Sequence, residues 1–105
     1  MIIEYSDSDS FLEIISSDKI VLADFYAGWC EPCRWLDVIL KEIEPSLPHN
    51  ALIIKVDTEK YQVLADSYGV RSAPVLVIFK SGSVVWRMNG FLMGPELLTK
   101  IKSFA

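Results

Sequence analysis

The sequence holds only two cysteines and one histidine. Two thiols are too few for a secreted disulfide scaffold or for a closed four-cysteine zinc site. No run of lysine or arginine occurs, and ten basic residues stand against fourteen acidic ones, a formal charge of −4. That balance excludes the basic footprint of a nucleic-acid-binding surface. No apolar stretch approaches the roughly 20 residues of a membrane-spanning helix. No internal repeat, low-complexity tract or linker interrupts the chain, so residues 1–105 read as one domain. The opening Met1-Ile2-Ile3-Glu4-Tyr5-Ser6-Asp7 lacks the basic start and small-residue cleavage site of a signal peptide. A cytoplasmic protein is the reading this favours, with an exported mature form left open.

What is present can build a core. Apolar residues make up 51% of the chain and charged residues 23%, which excludes a disordered polymer. Ile2 to Glu4 is a short strand candidate. Asp7 or Ser8 is placed to cap a helix carrying Phe11, Leu12, Ile14 and Ile15. Ile20 to Ala27 is a near-continuous apolar run, the pattern of a strand covered on both faces. A helix is expected from Glu31, with Leu36, Ile39, Leu40, Ile43 and Leu47 as its buried stripe and Pro45 as its end or kink. Ala51 to Val56 predicts a strand. Glu59 to Tyr68 predicts a helix stopped by Gly69. Val75 to Lys80 and Ser83 to Met88, joined at Ser81-Gly82, read as a hairpin. Gly94-Pro95 opens a last helix with Leu97, Leu98, Ile101 and Phe104 facing inward. The order β-α-β-α-β-α-β-β-α predicts an α/β fold. Its sheet is mainly parallel with an antiparallel edge, and helices cover both faces.

The chemistry is concentrated in Trp29-Cys30-Glu31-Pro32-Cys33, at a strand-to-helix junction. In such sheets the active crevice lies at the carboxyl ends of strands. A thiolate at Cys30 would face the unpaired N–H groups and positive dipole end of the helix, which lower its pKa and make it the nucleophile. Cys33, one turn further in, is expected to be less exposed and suits the resolving role. Pro32 fits a first helical turn, where no N–H is needed. The plain alternatives are a static disulfide, two inert thiols, or half of a metal site whose third ligand is not evident, His49 being remote.

Asp24 interrupts the apolar strand. A buried carboxyl resists ionisation and can exchange a proton near neutral pH, with Lys55 of the neighbouring strand as its partner. The alternative is a buried ion pair without a catalytic role. Pro74 follows Arg71-Ser72-Ala73 and either marks a strand boundary or carries a cis peptide bond.

Together these residues resemble the thioredoxin family, over nearly the whole chain. Asp24-Phe25-Tyr26-Ala27-Gly28-Trp29-Cys30-Glu31-Pro32-Cys33 is similar to its active-site segment. Asp57 is similar to the acidic residue after its third strand, Tyr68 to Pro74 to the approach to its cis-proline, Phe79-Lys80-Ser81-Gly82 to its hairpin turn, and Gly90 to its groove glycine. The resemblance implies a thioredoxin fold. With the strands numbered in chain order (Ile2–Glu4 as β1, then those beginning at Ile20, Ala51, Val75 and Ser83), the five-stranded sheet would run β1-β3-β2-β4-β5, flanked by four helices. It implies a redox-active disulfide between Cys30 as attacking thiol and Cys33 as resolving thiol. Asp24 and Lys55 would assist proton transfer. Trp29, Ala73, Pro74 and Gly90, with Glu31 and Pro32 at the motif itself, would line the substrate groove. No bound cofactor or metal is implied. The implied partners are disulfide-containing client proteins and a thioredoxin-reductase-type electron donor, met by a monomer.

Three positions depart from the family pattern. Glu31 stands where glycine is usual between the cysteines and should disfavour the Cys30 thiolate. Val38 replaces a proline, so the active-site helix should be straighter. Trp35 is either a half-buried packing residue or an exposed aromatic that selects partners. The function expected is a protein-disulfide reductase and electron carrier. The alternatives are a thiol oxidase or disulfide isomerase, and an interaction module with incidental redox activity.

Overall fold

The computed structural model describes residues 1–105. Five strands, β1 (Ile2–Glu4), β2 (Ile20–Tyr26), β3 (Ala51–Asp57), β4 (Val75–Lys80) and β5 (Ser83–Asn89), form one sheet in the order β1-β3-β2-β4-β5. β3 pairs in parallel with β1 and β2, while β4 runs antiparallel to β2 and β5. The helices are α1 (Phe11–Ile15), α2 (Glu31–Ile43), α3 (Gln62–Ser67) and α4 (Gly94–Lys102). This is the expected thioredoxin-type α/β fold, but the sheet is evenly mixed rather than mainly parallel: the connection from β3 through α3 brings β4 in antiparallel beside β2, so two of the four strand pairings are antiparallel.

Strand alternation divides the core in two. Val21, Ala23 and Phe25 pack with Phe11, Ile15, Tyr61 and Ala65 on the α1/α3 side. Ile20 and Leu22 pack with Leu36, Ile39, Leu40, Leu97 and Ile101 on the α2/α4 side. Asp24 shares the parity of Ile20 and Leu22, so its side chain is directed under α2.

Several boundaries differ from the expectation for local reasons. Ser10, not Asp7 or Ser8, caps α1: its hydroxyl accepts the Glu13 N–H at 3.2 Å. Residues 6–9 instead close a turn, with the Asp9 N–H donating to the Ser6 carbonyl and the Ser6 hydroxyl to the Asp9 carboxylate. α3 starts at Gln62 rather than Glu59 because Asp57 Oδ1 accepts the N–H groups of Glu59 and Lys60 and holds a turn there. Ala27 leaves the strand, and its carbonyl accepts the Cys30 N–H. Leu98, Phe104 and Leu47 are only partly buried at the edge of the core. With Val38 retaining its N–H, α2 runs unbroken for 13 residues, and Pro45 falls in a separate 3-10 turn, Glu44–Ser46.

Two features position the stretch leading to Pro74. Gly69 adopts φ +68°, which relieves the backbone after α3 of the Cβ clash any other residue would bring. The Arg87 guanidinium on β5 donates to the carbonyls of Tyr68 and Gly69. The 69–74 segment is thereby tied to the sheet edge.

Candidate active site

Cys30 is the N-cap of α2, with extended backbone angles, and its Sγ accepts the Cys33 N–H at 3.2 Å. Glu31 and Pro32 occupy the first helical turn and are exposed. The two sulfurs form the Cys30–Cys33 disulfide, across a Cα separation of 5.3 Å. A Cys30 thiolate at this position receives a backbone N–H and the helix dipole, the two effects that stabilise a sulfur anion.

The sulfurs lie in a small apolar cluster with Ala27, against which Tyr26 and Ala73 pack. Cys30 and Cys33 are equally buried, each 3% exposed, so the expected asymmetry in exposure is absent from the disulfide form. Ala73 is the reason: its carbonyl oxygen lies 3.4 Å from Cys30 Sγ and covers it. The Ala73–Pro74 peptide is cis. Pro74 is buried, and its carbonyl accepts the Gly90 N–H at 2.8 Å. Gly90 has φ +121°, and the direction a Cβ would take is open space.

Trp29 is 71% exposed and forms one wall of an open groove of about 310 Å³. Thr58, Glu59, Val70, Arg71, Ser72 and Ala73 are among the other residues lining it. Trp29, Ala73 and the cysteines are therefore brought together. Pro74, which is buried, and Gly90 are not among the residues lining this groove. Glu59 was not singled out from the sequence; its carboxylate accepts the Gly28 N–H at 3.4 Å and steadies the loop before Cys30.

Asp24 is fully buried, and neither carboxyl oxygen has a hydrogen-bond partner in the protein. Burial pushes its pKa from 3.8 up to about 7; nearby Lys55 pulls the other way, while Asp37 and Glu4 add to the rise. Lys55 lies directly across from Asp24 in the β2–β3 register. Yet its ammonium bonds elsewhere, to Asp37 Oδ1 at 2.6 Å, which corrects the expected Asp24–Lys55 pairing. Asp37 lies four residues after Cys33, one turn along the same side of α2. The sequence signal was available: an acid next to Leu36, at the edge of an apolar stripe. Lys55 Nζ also sits 4.6 Å from the centroid of the Tyr26 ring, whose hydroxyl donates to Glu4 at 2.6 Å. Burial, then that bond and the Glu4 charge, raise the Tyr26 pKa.

Trp35 is exposed, at 56%, and rests edge-on against Phe91 with ring centroids 6.4 Å apart. No group of three or more His, Cys, Asp or Glu side chains is arranged to hold a metal ion. No helix is long and apolar enough to cross a membrane.

The comparison with known proteins agrees with this geometry. The thioredoxin family model matches residues 2–103. The chain is 39% identical over 99 residues to the chloroplastic thioredoxin Y of Oryza sativa subsp. japonica, covering 94% of this chain and 58% of that one. It is 38% identical over 96 residues to a thioredoxin-like protein of Synechocystis sp., covering 90% and 91% of the two chains. It thus spans a little over half the length of the plant relative and nearly all of the cyanobacterial one. Among solved structures, a mutant thioredoxin from Halobacterium salinarum NRC-1 superposes with a TM-score of 0.86 at 32% identity, over 98% of this chain and 89% of the other.

Proposed function

We infer the function from one premise: this chain belongs to the thioredoxin family. It is a thiol–disulfide oxidoreductase that reduces protein disulfides through Cys30 and Cys33. The observation that carries this reading is the Cys30–Cys33 disulfide at the start of α2, with Cys30 Sγ accepting the Cys33 N–H beside the Ala73 carbonyl.

The cycle begins with the dithiol. The Cys30 thiolate, held at the helix end, attacks one sulfur of a client disulfide. A Cys30–client bond forms, the client S–S bond breaks, and the first client sulfur leaves as a thiolate that takes a proton from water. The Cys33 thiol then gives its proton to the ionised Asp24 carboxylate beneath α2, directly or through a water. The Cys33 sulfur attacks Cys30, the Cys30–client bond breaks, and the second client sulfur leaves with its electron pair. The protein has lost two electrons and holds the disulfide seen in the structure; the client has gained both. Asp24 suits this task because burial keeps its proton affinity near that of neutral solution.

The client strand is held along Trp29, Ala73, Pro74 and Gly90, with Glu31 and Pro32 at its edge. The exposure of Trp29 and the open side of Gly90 support this. Residues 1–105 act as one unit, supported by a single sheet whose two faces each carry one core cluster, and we take that unit to work as a monomer. Re-reduction calls for a reductase that delivers two electrons to the Cys30–Cys33 bond, with no cofactor bound to this chain. A reducing compartment such as the cytoplasm suits net reduction.

The test is turnover of a disulfide-bonded protein substrate by the reduced chain, together with trapping by Cys33→Ser. The variant should accumulate a Cys30-linked mixed disulfide visible by non-reducing electrophoresis and mass. Cys30→Ser should trap nothing. Absence of turnover in the unmodified chain, or trapping through Cys33, would refute the reading. Equilibration with glutathione gives the direction: a strongly reducing potential supports the reductase, and one near the oxidising end supports an oxidase.

A further inference from the structure

The β-sheet register sets Glu4 of β1, Lys55 of β3 and Asp24 of β2 side by side in one row, with Leu76 of β4 next in line. α2 adds a third acid, Asp37, from above. One ammonium therefore stands among three carboxylates. Glu4 takes its hydrogen bond from the Tyr26 hydroxyl at 2.6 Å. Asp37 takes the Lys55 ammonium at 2.6 Å. Asp24, the most buried of the three, is left with no hydrogen-bond partner. The Lys55–Asp37 bond is at the rim, with side chains 18% and 38% exposed. There an ion pair keeps much of its hydration, whereas moving the ammonium inward to Asp24 would strip both charges of water.

We propose that Asp37 is a positioning residue for proton transfer at Cys33: by holding the Lys55 ammonium at the rim, it keeps the Asp24 carboxyl out of a direct ion pair. The inference rests on the reductase reading of the Cys30–Cys33 pair. The balance of charge supports it. With all three acids ionised, the row and Asp37 sum to three negative charges against one positive. A proton accepted at Asp24 relieves that excess, and Asp24 is the one acid with no other bond to lose. Cys33 and Asp37 stand one turn apart on α2, so the thiol that gives up the proton and the acid that holds the lysine are carried by the same rigid element. The charged or titratable groups around Asp24 are Glu4 from β1, Lys55 from β3, Asp37 and the reduced Cys33 from α2, and Tyr26 from its own strand. β4 contributes only Leu76 beside it.

The experiment follows the Asp24 carboxyl carbon by NMR through a pH titration of the oxidised protein, in which neither cysteine titrates. Asp37→Asn should lower the Asp24 midpoint by about one unit, the low end of what a cation within 4–6 Å does to a carboxyl. Asp37→Glu should restore it. In a Lys55→Met background, Asp37→Asn should move the midpoint by less than half as much, because no ammonium is left to release. In the reduced protein, the acid limb of the pH profile for release of the second client thiol should shift the same way as the midpoint. An unmoved midpoint in Asp37→Asn, or equal shifts with and without Lys55, would overturn the proposal. Failure of the reductase reading shows separately, as an inactive unmodified protein. Failure of this inference shows as an active protein whose Asp24 titration ignores Asp37.

Discussion

Replacing Asp24 by asparagine should stabilise the protein, and by an amount that grows with pH. Asp24 is fully buried, and its pKa rises on folding from 3.8 to about 7. Between those two values the folded protein holds a proton that the unfolded chain has released. Stability therefore falls as pH rises through this window, unlike the usual carboxylate, whose pKa drops on folding. Below pH 3.8 there is no penalty; above pH 7 it is complete, at about 4 kcal/mol from 1.36 kcal/mol per unit. At pH 5 the same two values leave roughly 2 kcal/mol, so the penalty about doubles between pH 5 and pH 8. Asparagine cannot ionise and escapes it. Urea unfolding of the oxidised protein and of Asp24→Asn at the two pH values reads this directly. Every other titrating group is common to both proteins and cancels in the difference. With a slope of about 1.5 kcal/mol per molar, the midpoint advantage of the variant should widen by roughly 1–2 M from pH 5 to pH 8. A difference that stays constant with pH, or narrows, would refute the assignment of Asp24 as a carboxyl whose proton affinity is raised by burial. The same variant should slow release of the second client thiol, because the proton acceptor is gone.

Glu31→Gly removes an exposed carboxylate next to Cys30 in the chain; two like charges about 7 Å apart repel by about 0.6 kcal/mol in water. The Cys30 pKa should fall by about 0.4 units and the protein should become slightly more oxidising; thiolate absorbance against pH checks it, and an unchanged or raised pKa contradicts it. Trp35→Ala removes an aromatic that is more than half exposed beside Phe91. For some protein clients kcat/KM should fall by about tenfold, as at an interface hot spot, while reduction of a small disulfide stays within about twofold. Equal loss on every substrate would mean that Trp35 only holds the domain together.

The chemistry was the most legible part of the chain, because it is written locally. Cys-x-x-Cys at a strand-to-helix junction carries its own geometry: the helix that buries Leu36 and Leu40 brings its amino end to Cys30, whatever else surrounds it. The fold was nearly as legible. Apolar periodicity changes from strand to helix at each junction, and loops as short as Ser81-Gly82 leave few topologies open. Boundaries shifted where a side chain competed with the backbone, as Asp57 does by taking the N–H groups that would have begun α3 three residues earlier.

Residue order alone identifies the redox pair, the anomaly at Asp24, and helices on both faces of one sheet; that β4 enters antiparallel to β2 was decided only by the fold. Tertiary structure alone decided who pairs with whom. Lys55 is as near in sequence pattern to Asp24 as to any acid, and strand register does place them side by side. Its four-carbon stem nonetheless carries the ammonium toward α2, where Asp37 waits at the hydrated rim. Charge pairing depends on distance and solvent in three dimensions, and neither is encoded in spacing along one strand. The same holds for the lid on Cys30. Cys30 is as buried as Cys33, with Ala73, more than 40 residues away in the chain, folded back against the N-cap of α2.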